Sequence, residues 1–511
     1  MAAKHHKKRK KIKKALQKIT IVPTEEKLTA AAGLGTLMEL FDSSDLKDEF
    51  IECLPTRVSH RSIGSYQLAL TLMASFLYGN DCLKDLDYFR GEHKLKALFG
   101  TDTAAARTHG DYLRDFEMEH IVKLNKFLNR MSRFIFASLK EQLPDQFKPR
   151  KMIIDMDSTD HVQHGDKMEG LAWNFKNNWC LDTQVAFNQL GFCHGFQLRP
   201  GNTKSGVDAE PLVFQCFDDG KTQAERKWEF KDFFRADSAY CKQDVIRALL
   251  NLGVHFTLTA HDGTTKWKEQ MEQEGLSWQP WVYSKEEIEK AEEKEKELPK
   301  IEVSRFYWSP GWSEEYGKKL VFPILVKRTW NKEREEEGRK KYAQGSLFHP
   351  DGFMTADPWD YYAIVTNIPL DLAPEKAIEQ KSDVKFQRWS IQKVFEFHNK
   401  RGNSENFIKE EKYGYDLKHF PCQKLLANYA FGLLAQVAHN ILRWVAIVTH
   451  PERPHFSKKL RKRFVFIPGK IIRHSGYTIL KMAKQSYKEV MKLRETWGLQ
   501  SGKIPPYYSS A

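Results

Sequence analysis

The stretch Met152-Ile-Ile-Asp155-Met-Asp157-Ser-Thr159 decides how the rest of the chain is read. Its apolar, β-favouring residues predict a short buried strand over Met152–Asp157. Side chains alternate along a strand, so Asp155 and Asp157 face the same way. Two carboxylates among Met and Ile are costly to bury without a cation or hydrogen-bond donors.

Immediately downstream, Trp179–Asn188 and Phe192–Leu198 read as two more strands, with Leu190-Gly191 as the turn, so the three form an antiparallel meander. Ser205 is expected to cap a helix running through Leu212 and Phe217. Phe233–Asp237 is a fourth strand, Gln243–Leu252 a helix ended by Gly253, and Val254–Ala260 a fifth strand. Three strands, helix, strand, helix, strand is the order of an RNase H-like α/β core. Strands one and four are neighbours in such a sheet, so Asp237 converges on the acids of the first strand.

Further outward the pattern becomes helical. Tyr66–Leu77 is apolar on nearly all sides, and residues 116–142 repeat apolar positions at three and four. Pro144 and Pro149 suggest a boundary. The expected organisation is a basic disordered arm (1–20), a helical domain compatible with DNA binding (21–148) and the first part of the core (149–261). A β-rich insertion (262–385), the helical second part of the core (386–450) and a basic C-terminal segment (451–511) follow. Within the insertion, Val303–Trp308, Lys319–Lys327 and Tyr361–Thr366 look like strands, and the mixed-charge run Lys285–Lys300 looks like a solvated helix or loop. In 458–474, five cations precede Phe464-Val-Phe-Ile-Pro-Gly, which reads as a basic strand pair.

At 511 residues the chain is too long for one compact core. Its net charge is +14, of which eight come from Lys and Arg within residues 1–14, leaving six for the remainder. A surplus of that size suits a polyanion, since each neutralised phosphate releases counterions. Seven dispersed cysteines without a CxxC pair argue for reduced thiols and against a structural zinc site. No secretory signal is expected, because no apolar segment follows the N-terminal charges. Leu425–Val448 is apolar but broken by Asn428, Gln436, His439, Asn440 and Arg443, so it is expected to be a buried helix rather than a membrane span. Asp160, His161 and His164 form a poor metal set and are expected at the surface.

A third acid lies in His398-Asn-Lys-Arg401-Gly-Asn-Ser-Glu405-Asn-Phe-Ile-Lys-Glu-Glu-Lys412. Offsets of four and seven place Arg401, Glu405 and Lys412 on one helical face. In isolation such a row is more often a solvent-facing set of ion pairs. Beside two strand aspartates it suits a site that handles both metal and phosphate.

Taken together, these motifs resemble the insertion-sequence DDE transposases that carry a β-rich insertion between the second Asp and the Glu of an RNase H-like core. The likeness runs from about residue 25 to about 475. It rests on Asp155-Met-Asp157-Ser-Thr159, Leu198-Arg-Pro-Gly-Asn202, Arg235-Ala-Asp237-Ser-Ala-Tyr240 and Arg401-Gly-Asn-Ser-Glu405-Asn. The resemblance implies Asp157, Asp237 and Glu405 as the catalytic, metal-binding triad, and two Mg2+ ions, with Mn2+ as a substitute. It implies cut-and-paste transposition of DNA, with Arg401, Lys412 and Tyr240 among the DNA contacts and Trp308, Trp312 or Trp330 as a stacking platform for an unpaired base. Family members usually carry Tyr where this chain has His398. The implied partners are terminal inverted repeats, target DNA and a second copy in the synaptic complex, with no membrane, in a prokaryotic cytoplasm and at the nucleoid. An RNase H-like nuclease and a non-catalytic, domesticated DNA-binding protein are the competing readings.

Overall fold

A computed structural model describes residues 23, 25–26, 28–57, 63–91, 103–218, 232–312, 319–336, 357–371, 388–474 and 477–499. The basic arm lies outside the described residues.

A two-residue strand β1 (Leu28–Thr29) opens the described chain. Helices α1 (Ala32–Asp42), α2 (Leu46–Glu52), α3 (Ser65–Tyr78), α4 (Leu86–Gly91), α5 (Ala106–Arg114) and α6 (Met118–Gln142) follow. Next come β2 (Ile153–Val162), β3 (Ala172–Trp173), β4 (Trp179–Asn188), β5 (Cys193–Pro200), α7 (Ala209–Phe217), β6 (Phe233–Ala236), α8 (Gln243–Asn251) and β7 (His255–Thr259). The middle region holds α9 (Asp262–Thr265), α10 (Trp267–Gln273), β8 (Gln279–Pro280), α11 (Lys285–Glu292), β9 (Ile301–Trp308), β10 (Phe322–Trp330) and β11 (Trp359–Thr366). The chain then forms α12 (Ile391–Asn399), α13 (Gly402–Gly414), α14 (Leu425–Thr449), α15 (Ser457–Leu460), β12 (Gly469–His474), β13 (Tyr477–Met482) and α16 (Lys484–Thr496).

The fold is mixed α/β around one large mixed sheet. Its strands run β3-β4-β2-β6-β7-β11-β10-β9-β8, and β5 pairs with the far side of β4. Only β2–β6 and β6–β7 are parallel, and all other pairings are antiparallel. The pairing of β2 with β6 puts the C-terminal end of β6, at Ala236, beside Met156 in the middle of β2.

Alternation along β2 sorts its residues. Ile154 and Met156 enter a core shared with Phe234, Ala236, Phe256 and the apolar faces of α7 and α8. Asp155 and Asp157 face the opposite side, where α12 and α13 pack. On that side α14 is buried almost all round, as its composition requires. It packs against α3, α6 and β5 in a single core that also takes in α1 and α5. The polar residues that interrupt α14 are its ties to the sheet and to α13. Asn440 bonds both backbone groups of Cys193, His439 meets the Gly191 carbonyl at 2.8 Å, and Arg443 donates to the Leu190 carbonyl at 2.5 Å. The helix is long and apolar enough to cross a membrane, yet 94% of its most apolar window is buried within the fold.

Several expectations are corrected. The strands within 262–385 do not form a sheet of their own: β11 pairs antiparallel with β7, and β10, β9 and β8 extend the main sheet beyond it. Apolar residues from β9, β10 and β11 lie in the same core as β2 and β6, which explains why they stay attached. Pro144 and Pro149 end α6 without separating cores, since the N-terminal helices share theirs with α14 and β5. Ser205 does not cap α7. Asp208 stands at that position in the left-handed region (φ 53°), and the Ser205 hydroxyl meets that of Ser158 at 2.5 Å. The cations of 458–463 sit on α15 and the turn after it, while the strand pair comes later, as β12 and β13, joined by β1 in a small sheet. As for the mixed-charge run, α11 is exposed along its length and starts at a Ser284–Glu287 capping box.

Candidate active site

Asp157 is the fifth residue of β2, and Asp237 directly follows β6. The two strands pair in parallel with Asp155 opposite Arg235 and Met156 opposite Ala236, so the register brings Asp237, just past the end of β6, beside Asp157 in the middle of β2. Each carboxylate is oriented by a backbone N–H. Asp157 Oδ1 accepts from Ser158 N at 2.8 Å, and Asp237 Oδ1 accepts from Ala239 N at 2.9 Å, capping a short 3-10 turn. Arg401, between α12 and α13, donates to Asp157 Oδ2 at 3.0 Å. Burial raises the Asp157 carboxyl above its ordinary value; Arg401 opposes that and the negative charge of Asp237 adds to it. Burial pulls the Arg401 guanidinium down, but Asp157 and Asp237 together hold it above its ordinary value.

Two residues earlier on each strand, a second pair locks this arrangement. Arg235 forms a two-pronged bond to Asp155, at 2.6 and 2.7 Å, with both side chains buried. Its remaining nitrogen donates to the Phe397 carbonyl at 2.7 Å, and its plane covers the Phe397 ring at 4.8 Å. One guanidinium therefore ties β2, β6 and α12, the segments leading to Asp157, Asp237 and Arg401. Burial pushes the Asp155 carboxyl up to about 6, against the pull of Arg235.

The other expected residues are placed as follows. Glu405 lies in the first turn of α13, one turn beyond Arg401, with its side chain exposed. Among the described residues no three His, Cys, Asp or Glu side chains gather as a metal-holding group, so Glu405 does not join the two aspartates in a closed set. A long exposed carboxylate has nothing to hold it in one rotamer until a cation is present. Lys412, at the far end of the same row, donates to Thr159 Oγ1 at 2.6 Å and to the Asp160 carbonyl at 2.7 Å. It pins α13 along β2, and burial lowers its ammonium below the ordinary value. His398 is buried between Thr257 and Thr259 of β7, at 2.9 and 3.2 Å, and burial lowers it to about 3, so it is neutral.

Tyr240, expected at DNA, is fully buried and accepts a hydrogen bond from Gln184 at 3.2 Å. Trp308 is 6% exposed and packs on Phe322, so it belongs to the core rather than to a stacking platform. Trp312 lies half-buried beneath Arg247, and Trp330 donates to Glu335 at 2.9 Å while meeting Trp359 edge-on. His161, expected at the surface, is buried because β2 continues to Val162. It bonds the Leu417 carbonyl at 2.6 Å and Thr183 at 2.7 Å. Sequence reasoning missed Tyr362 of β11, whose hydroxyl meets Thr259 at 2.8 Å within electrostatic reach of Asp237 and Arg401. Nothing in the tyrosine pair of that strand marked it out, because its place depends on β11 joining β7.

The donor set is all oxygen, which suits a hard divalent cation such as Mg2+ or Mn2+. Asp157 is raised by burial and by Asp237, with one arginine in direct contact, so the site favours additional positive charge.

A family model described as transposase DDE domain group 1 matches residues 12–312 and 381–495 of the chain. No curated protein matches it.

Proposed function

The chain belongs to the transposases with a group 1 DDE domain, whose chemistry is the cleavage and transfer of DNA strands, and on that premise we propose that it moves an insertion sequence by a cut-and-paste route. The observation that carries the reading is that Asp237, just past the end of β6, comes beside Asp157 in the parallel strand β2, with Arg401 bonded to Asp157 and within electrostatic reach of Asp237. In this reading β2, β4, β5, β6 and β7, with α7 and α8, are an RNase H-like core. The strands β8 to β11 are its inserted region, and α12 and α13 complete the site.

Asp157, Asp237 and Glu405 would hold two Mg2+ ions, with Mn2+ as a substitute, and the ions, when bound, supply activation of the attacking oxygen and stabilisation of the leaving 3′ oxygen. The protein's own part is positioning. Ser158 N and Ala239 N fix the two aspartates, and Arg401 holds the outer oxygen of Asp157. Its remaining guanidinium donors are available for a phosphate oxygen. Lys412 keeps α13 seated on β2, so Arg401 stays against Asp157, with Glu405 one turn beyond it.

The partners in this reading are the terminal inverted repeats, target DNA and a second copy of the chain, working in a prokaryotic cytoplasm at the nucleoid. The position of Glu405 outside a closed carboxylate set is the one feature that favours a non-catalytic DNA-binding protein instead.

An excision assay separates the two. The gene's flanking DNA is placed around a marker, and the chain is supplied as wild type, Asp157→Asn, Asp237→Asn or Glu405→Gln. Excision by wild type, and its loss in all three variants with DNA binding retained, is the expected result. Binding without excision by wild type would move the non-catalytic reading forward.

A further inference from the structure

We propose that the hairpin between β3 and β4 is a DNA contact that takes unpaired bases on the rings of Trp173 and Phe175. The inference rests on DNA being the substrate, as proposed above, and concerns a different part of the surface. Phe175 is 85% exposed and Trp173 63% exposed, unusual for rings on a well-packed edge strand. Loose packing does not explain their exposure, because the turn is tightly bonded. Asn174 Oδ1 accepts from the backbone N–H of Lys176 at 2.9 Å and of Asn178 at 3.0 Å. Asn177 takes the left-handed conformation that closes the loop. Asp160 of β2 accepts from the side chains of Asn178 at 2.6 Å and Asn174 at 3.3 Å. Trp179 anchors the base of the hairpin by donating to the Gly165 carbonyl at 2.8 Å and stands 5.5 Å from the Trp173 ring. A rigid turn that presents two aromatic faces to solvent is already organised for a flat ligand, so little ordering cost attends binding.

Its surroundings select the ligand. Lys176 is exposed beside the Phe175 ring, at 5.4 Å, and is within electrostatic reach of Lys412. Gln163, just beyond the end of β2, donates to the Lys418 carbonyl, which brings a second exposed lysine alongside; Lys418 in turn lies 5.8 Å from the exposed ring of Tyr413. Aromatic faces interleaved with lysines suit single-stranded nucleic acid, whose bases stack while its phosphates pair with the cations. The hairpin is also tied to a strand of the candidate site. Asp160, which holds the turn, is three residues from Asp157, about 10 Å along an extended strand.

The test uses the full chain with EDTA present, so that no strand is cut. Binding is measured to a blunt duplex and to the same duplex with a short single-stranded extension containing 2-aminopurine. For wild type, the extension should tighten binding and its fluorescence should be quenched. Phe175→Ala and Trp173→Ala should each lose about tenfold in affinity for the extended duplex. They should leave the blunt duplex unchanged and abolish the quench, and Phe175→Trp should restore both. Equal losses on the two DNAs, or no loss, would overturn the inference while leaving the transposase reading intact. A shift from dimer to monomer in the alanine variants, with DNA binding unaltered, would overturn it in favour of a second copy of the chain as the occupant. Failure of wild type to bind either DNA would sink both readings.

Discussion

Replacing Glu411 with Gln should make the protein more stable at alkaline pH, and the structure says by how much. Glu411 is fully buried between α13 and α14, where Gln436 donates to its Oε2 at 2.6 Å. Among the described residues no donor reaches Oε1. Burial pushes this carboxyl up to about 8, and the opposing pull of Gln436 and Lys412 does not reverse it. The folded chain therefore holds a proton that the unfolded chain releases above the ordinary value of 4.5. The sign follows directly: the group's contribution to stability is greatest at low pH and declines as pH rises from 4.5 to about 8, then levels off. One such proton is worth about 1.4 kcal/mol per pH unit, so the decline accumulates to about 5 kcal/mol at most. Gln has the same shape, keeps the bond from Gln436 and carries no titratable proton. Urea denaturation of both proteins at pH 5, 6, 7 and 8 isolates the effect, because every other titrating group cancels in the difference. The variant should be close to wild type at pH 5, or slightly weaker through its unpaired amide N–H, and should gain steadily above it. Parallel profiles, or a variant that is weaker at pH 8, would refute the reasoning.

Arg235→Met should cost about 3–5 kcal/mol in thermal or chemical denaturation, since it strands the Asp155 carboxylate in the core. The double variant Asp155→Leu with Arg235→Met should recover part of that loss in a double-mutant cycle. Millimolar Mg2+ should raise the melting temperature of wild type, by about 1.4 kcal/mol of stability at ten times the dissociation constant, and calorimetry should show the gain removed in Asp157→Asn and Asp237→Asn. Gly33→Ala should destabilise the packing of α1 on the segment after α15 by about 3 kcal/mol or more, because the added Cβ would lie 1.8 Å from the Phe464 carbonyl oxygen; limited proteolysis near residue 464 reads this out.

What the sequence made legible was local. The strands around Asp157 and Asp237 announce themselves by apolar runs, and α6, α14 and α8 by their periodicity and end signals. Helical spacing marked out Arg401, Glu405 and Lys412 as one row, but not that Arg401 would stand between two helices and bond Asp157. Pairing partners that lie far apart in the chain were not legible. No local signal shows that β11 continues the sheet from β7, a pairing of Ile364 with Thr259 across more than a hundred residues. For the same reason Tyr362 escaped notice, and Trp308 could not be told apart from Trp312 and Trp330 as the ring that packs in the core. His161 was misjudged because the strand runs on past the aspartates, where Leu417 and Thr183 satisfy both ring nitrogens. Trp173 and Phe175 gave no sequence signal because exposure is a property of the folded turn alone.

The seam between β7 and β11 also governs the order in which the chain can mature on the ribosome. Until Trp359–Thr366 has been translated, β7 is an open strand edge with unpaired backbone groups, beside a half-covered sheet face. The long helix that closes the other face is made later still, after residue 425. A nascent chain thus passes through a long interval in which both aspartates have emerged on an unfinished sheet and Arg401 and Glu405 do not yet exist. Premature termination in that interval would yield a fragment with an open, aggregation-prone strand edge. The sheet and the helices that cover it are therefore complete only near the end of synthesis.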